Sequence, residues 1–72
     1  MDQDLQTIVT KIGQRVRELR KAKGISQLEL AAMCGMEPSN LNRIERGHTN
    51  PTLRSLYLIA SALEIPVVNL VK

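Results

Sequence analysis

Residues 26–47, SQLELAAMCGMEPSNLNRIERG, read as two short helices joined by a tight turn. Ser26 suits the N-cap of the first, and Glu29, three residues on, can reach back to its amide in a capping box. Ile25 and Leu30 fall where a hydrophobic staple fixes the entry of the chain. Ala31 and Ala32 are small enough to let a second helix approach. Gly35 follows Cys34 where a left-handed residue would end the helix. Pro38 suits the first position of the next helix, because the amide hydrogen it lacks has no intrahelical partner there. Met36 and Leu41 form a second staple, and Arg46 and Gly47 supply a basic last turn and a terminating glycine.

Two short helices with a glycine in the turn are the signature of a helix-turn-helix. On the second helix Leu41 and Ile44 point one way. Ser39, Asn42, Arg43 and Arg46 recur at i, i+3, i+4 and i+7 on the opposite face. That face carries hydrogen-bond donors and acceptors of the kind that read base edges.

The rest of the chain frames this unit. Seventy-two residues make one small domain, spanning 1–72, near the lower limit for a self-sufficient core. Hydrophobic residues make up 43% of it, but there is no Trp or Phe and only one Tyr, so the core is aliphatic. Such a core stabilises a small domain by only a few kcal/mol, and a partner subunit would add to it. The net charge of +3 is mild, yet six of the ten basic residues lie between Lys11 and Lys23 with only Glu18 against them. Cations clustered on one segment point to a polyanion. No long apolar run suits a membrane span, and the acidic start Met1-Asp2-Gln3-Asp4 is unlike a signal peptide. One cysteine excludes an internal disulfide and fits a reducing cytoplasm.

Before the helix-turn-helix, Leu5, Ile8, Ile12, Val16 and Leu19 recur at the spacing of an amphipathic helix, with Asp4 available as its cap. Gly13 weakens that helix by about 1 kcal/mol relative to Ala, and Gly24 ends it. After the unit, His48-Thr49-Asn50-Pro51 is a loop. Thr52 caps a fourth helix whose inward stripe is Leu53, Leu56, Ile59, Ala60 and Leu63. Glu64-Ile65-Pro66 breaks it, and a last helix covers about Pro66 to Val71. Val68 and Val71 exceed what the core can use, and exposed apolar patches mark interfaces.

Catalytic and metal chemistry find few parts. His48 is the only histidine and lies in a loop, while Cys34 reads as a small core residue. The pair lacks a third orienting group for nucleophilic catalysis and falls short of a four-ligand metal site. The glycines are isolated rather than gathered in a phosphate loop, and Met33 and Met36 read as packing. No enzyme activity, cofactor, metal or small-molecule ligand is expected.

Leu19-Arg20-Lys21-Ala22-Lys23-Gly24, Ile25-Ser26-Gln27 with Leu30-Ala31, Ile44-Glu45-Arg46-Gly47, Asn50-Pro51-Thr52-Leu53 and Ala60-Ser61-Ala62-Leu63 occur in that order. In this the chain resembles the Cro- and lambda-repressor-like transcriptional regulators, the XRE family, from about Ile12 to Leu70. The resemblance implies an all-α, five-helix, lambda-repressor-like DNA-binding domain with its helix-turn-helix unit at about 27–46. It implies that Gln27 clamps a phosphate, where its amide and the free amides of a helix N-terminus meet. Pro38, Ser39 and Arg43 occupy the base-reading positions, with Asn40 and Asn42 beside them. Arg43 can contact guanine in bidentate fashion, and Asn40 or Asn42 can pair with adenine or hold phosphate. Arg46 lies on the same face, and Thr49 and Asn50 match a phosphate-contacting loop. Arg20 and Glu45 match a partly buried structural ion pair. Arg15, Arg17, Lys21 and Lys23 remain available to phosphate or solvent.

The expected function is that of a sequence-specific regulator of transcription, cytoplasmic and nucleoid-associated, with double-stranded DNA as partner. Residues 64–72, through Val67, Val68 and Val71, are expected to form a homodimer on a near-palindromic operator. Small phage repressors and restriction–modification controllers have this layout. An antitoxin of a toxin–antitoxin pair is the alternative within DNA binding. A protein-interaction module that has lost DNA binding is the alternative outside it. The chain departs from the family pattern at Glu37, a poor N-cap near a polyanion, and at Pro66 and Val68, where polar residues are common.

Overall fold

A computed structural model describes the backbone of residues 2–72 and the side chains from residue 4 onward. Among these described residues five helices follow one another: α1 (Asp2–Ala22), α2 (Gln27–Cys34), α3 (Pro38–Glu45), α4 (Leu53–Leu63) and α5 (Val68–Val71). Among the described residues there is no strand, so the fold is all-α. Among the described residues no helix is long and apolar enough to cross a membrane.

Local chemistry explains each boundary of the central unit. The Ser26 hydroxyl accepts from the Glu29 amide at 3.0 Å, and the Ser26 amide donates to the Glu29 carboxylate at 2.7 Å. The bond from the Ser26 amide, and then that residue's hydroxyl, hold the Glu29 carboxyl below its usual range. Gly35 ends α2 at φ +66°, a conformation that costs other residues about 1–2 kcal/mol. Its amide and that of Met36 close on the carbonyls of Ala31 and Ala32. Glu37 is the N-cap of α3 but makes no side-chain capping bond, so Pro38 and the backbone alone start that helix. Thr52 caps α4 by accepting from the Ser55 amide at 3.0 Å.

Leu30, Leu41, Ile44, Ile59, Leu63, Leu70 and Val16 are fully buried, and with Ile12, Ala31, Cys34, Leu56 and Ala60 they form one aliphatic core. Burial pushes the Cys34 thiol above its usual pKa. Ile25 and Met36, the outer halves of the two staples, pack on the rim of this core.

Several sequence expectations are corrected. The first helix begins at Asp2, so Asp4 lies inside its first turn instead of capping it. Its inward face is Val9, Ile12, Gly13, Val16 and Arg20, whereas Leu5 and Ile8 stay about half exposed, because α1 runs past the end of the core. Leu53 is 74% exposed, since the chain enters α4 a turn before it reaches the core, and Met33 faces outward from α2. The last helix is shorter than expected, with Val67 as its N-cap. Val67 packs against the core, so only Val68 and Val71 of the three valines present surface.

Gly13 is the least expected structural residue. A Cβ there would lie 2.3 Å from the Ile44 carbonyl oxygen and 2.8 Å from that of Glu45. The last turn of α3 therefore rests directly on the backbone of α1, an approach only glycine permits.

Candidate nucleic-acid interface

Because Leu41 and Ile44 are drawn into the core, α3 must turn its other side outward. Pro38, Ser39, Arg43 and Arg46 are exposed on it. Asn40 is half-buried at the first turn and Asn42 half-buried further along. Asn42 thus does not share the freedom of Ser39 and Arg43: its Nδ2 donates to Gln27 Oε1 at 3.2 Å. Of the polar stripe read from the sequence, Ser39, Arg43 and Arg46 form the open face.

A buried ion pair fixes how this face is presented. Arg20 Nε donates to Glu45 Oε2 at 2.8 Å, and Arg20 Nη2 donates to Glu45 Oε1 at 3.1 Å. Arg20 Nη1 also donates to the Ile25 carbonyl at 3.0 Å, and Gln27 Nε2 donates to Glu45 Oε1 at 3.1 Å. Arg20 and Glu45 are both more than nine-tenths buried. Bidentate charge-assisted bonds are strong and directional. This pair joins α1 to the last turn of α3 and reaches the linker before α2. Among the described residues no buried side-chain polar atom lacks a partner.

Gln27 stands at the first position of α2, half-buried, between the ion pair and Asn42. With Arg17, Asn42, Glu45 and Arg46 it lines a shallow cleft where α1, α2 and α3 meet. Two exposed arginines, Arg17 and Arg46, thus share the cleft with Gln27, the first residue of α2, where helix N-termini favour an anion.

Thr49 and Asn50 lie in the loop that follows α3, in a second cleft with Gln6, Gly47 and His48. Gln6 was not singled out in the sequence. Its Nε2 donates to the Gly47 carbonyl at 3.2 Å and to Thr10 Oγ1 at 3.1 Å, so the early turns of α1 brace the loop. A Gln and a Thr four apart on a helix are a visible pair, but nothing local in the sequence links either to Gly47.

Two cations left to phosphate or solvent have other partners. Arg15 donates to the carbonyls of Asn69 at 2.8 Å and Lys72 at 3.3 Å, and so holds the end of α5 against α1. Lys23 meets Glu64 at 3.4 Å on the surface. Away from α3, Ile8 and Val71 line one groove between α1 and α5, edged by Lys11, Gln14 and Glu18.

Residues 16–70 match a family profile described as Helix-turn-helix. Over 60 residues the chain is 40% identical to the uncharacterized HTH-type transcriptional regulator y4dJ of Sinorhizobium fredii, covering 83% of this chain and 78% of that protein. It is 42% identical over 57 residues to the HTH-type transcriptional regulator SinR of Bacillus subtilis, covering 78% of this chain but 51%, about half, of SinR. The restriction-modification controller protein C.AhdI from Aeromonas hydrophila superposes with a TM-score of 0.84 at 44% identity, over 86% of this chain and 94% of that one. SinR, the master regulator for biofilm formation, solved in complex with DNA, superposes with a TM-score of 0.80 at 40% identity, over 85% and 98% of the two chains.

Proposed function

The chain belongs to the helix-turn-helix family of transcriptional regulators, and from its geometry we propose that it reads duplex DNA with α3 in the major groove. The observation that carries this reading is the outward face of Ser39, Arg43 and Arg46, held rigidly on the body by the buried Arg20–Glu45 pair. Arg43 supplies the base contact, with Pro38, Ser39 and Asn40 beside it. Gln27, Arg17, Arg46, Thr49 and Asn50 hold phosphates on either side. The work is binding without catalysis, and it takes place where the DNA is, in the cytoplasm at the nucleoid.

One such module buries only about 600–1,000 Å² on DNA, too little for tight specific binding. The chain therefore acts as a homodimer, joined through α5 at Val68 and Val71 and along the neighbouring edge of α1. A two-fold dimer calls for a near-palindromic operator with half-sites about one helical turn apart. Likeness to the controller protein C.AhdI and to SinR, solved in complex with DNA, supports a DNA-binding regulator, and promoter occupancy is the mode of action open to a binding module. Glu37 and Pro38, exposed at the groove-facing end of α3, favour a protein partner instead.

A fluorescence anisotropy titration tests both. DNA from upstream of the protein's own gene is compared with a scrambled duplex at two salt concentrations. A specific binder prefers the true site by about 10³ or more and loses affinity steeply with salt. Arg43→Glu abolishes binding with the fold intact. Val68→Asp combined with Val71→Asp lowers both sedimentation mass and DNA affinity. A double variant that still sediments as a dimer moves the interface elsewhere, and no binding by the parent chain at low salt selects the protein-interaction alternative.

A further inference from the structure

We infer that Asn42 is a positioning residue for the phosphate clamp at Gln27, not a reader of bases; this rests on the DNA-binding reading above. One group here has a polarity beyond choice: the Glu45 carboxylate can only accept hydrogen bonds. Its Oε1 already receives Arg20 Nη2 at 3.1 Å, and Gln27 stands at the same distance. Gln27 must therefore present its NH₂ group to Glu45, which turns its carbonyl oxygen the other way. That oxygen needs a donor, and Asn42 supplies one through Nδ2 at 3.2 Å. The buried charge on Arg20 thus orients a carboxylate, the carboxylate orients one amide, and that amide orients the next.

The consequence for Gln27 is that both ends of its amide are occupied while one Nε2 hydrogen is left over. Held in this way, at the first position of α2 and in the cleft flanked by Arg17 and Arg46, that hydrogen is aimed before DNA arrives. A flexible glutamine would lose rotamer freedom on binding, and pre-organisation removes that cost. Asn42 is the α3 end of this arrangement. It links the helix that reads bases to the helix end that holds the backbone.

The test is a double-mutant cycle on DNA affinity, with Gln27→Ala, Asn42→Ala and the pair, each titrated against the operator duplex and a scrambled one. If Asn42 acts through Gln27, Asn42→Ala weakens both duplexes by the same factor, roughly fivefold, the size of one ordinary hydrogen bond. The ratio of specific to non-specific affinity does not change, and the loss disappears in the Gln27→Ala background. If Asn42 reads a base, its free oxygen selects a donor, cytosine N4 or adenine N6. Asn42→Ala then relaxes preference at a single operator position and keeps its full effect without Gln27, which overturns the inference. Because these readouts are a ratio and a coupling, a small loss of fold stability moves neither. If the parent chain binds no duplex at all, the failure lies with the DNA-binding reading itself.

Discussion

Gly13→Ala separates helix propensity from packing, because the two predict opposite signs. Gly13 lies deep inside the 21-residue α1, where replacing glycine by alanine stabilises an isolated helix by about 1 kcal/mol. In this fold the new methyl carbon would meet the Ile44 carbonyl oxygen at 2.3 Å, and to reach even 3.0 Å α3 would have to retreat by roughly 0.7 Å. The obstacle is backbone, so no rotamer change relieves it. Moving α3 also stretches the Arg20–Glu45 bonds, which are 2.8 and 3.1 Å long. Overpacking of a tight contact costs about 1–3 kcal/mol, and here it must also cancel the propensity gain. A backbone obstacle this close belongs at the upper end of that range, so after the gain of about 1 kcal/mol is subtracted the expected net effect is a destabilisation of about 1–2 kcal/mol, or roughly 4–8 °C in Tm for each kcal/mol in a domain of this size. Urea unfolding followed by circular dichroism, with an unchanged slope, measures it. A variant equal to the parent in stability, or above it, would refute the close packing of α1 on α3 and the reasoning built on it.

Two further substitutions address the helix ends. Glu64 ends α4 at φ +60°, so Glu64→Gly should raise stability by up to about 1 kcal/mol, the left-handed strain outweighing glycine's extra freedom in the unfolded chain; a lower melting temperature would count against it. The same change removes the Lys23–Glu64 ion pair, which is exposed and therefore weak. Glu37 already has the extended backbone of an N-cap but makes no capping bond, and Glu37→Asp shortens the side chain to one that can reach the free amides of α3. It should add about 1 kcal/mol without changing net charge, and a thermal melt showing no gain would mean that the α3 amides are already satisfied.

The features legible in the sequence are those set by neighbours along the chain. The capping box at Ser26, the left-handed Gly35, Pro38 at the start of α3 and the Thr52 cap are each decided within about four residues, so their chemistry is written locally. The inward pair Leu41–Ile44 was equally plain, because period decides it, whereas of the two small residues Ala31 and Ala32 only Ala31 is buried. Features that depend on where an element ends against another were not legible. Leu5, Ile8 and Leu53 continue the apolar period of their helices and yet are exposed, since periodicity gives a face but not how far the core extends beneath it. Gly13 looked like a weakness because its reason lies in carbonyls more than thirty residues away. The bonds from Arg15 to Asn69 and Lys72, which tie the end of α5 to α1, span more than fifty positions and leave no local mark.

Charge shows the same limit, with a consequence for DNA binding. The six cations between Lys11 and Lys23 read as one polyanion-binding segment, but the fold divides them. Arg20 is buried against Glu45, Arg15 is turned to the carbonyls of α5, and Lys23 leans on Glu64. Only Arg17 of that group lines the cleft beside Gln27, opposite Arg46. Half of the cationic segment therefore builds the scaffold. The footprint on DNA, as proposed, shifts from α1 toward Arg17, Arg43 and Arg46, with Thr49 and Asn50 adding uncharged contacts. Only charged contacts that displace condensed counterions enter the salt slope, by about 0.9 each on duplex DNA. The slope per protomer should accordingly follow the three outward arginines rather than the basic count of the sequence. The buried arginine contributes to affinity in another way, by fixing the helix that carries two of them.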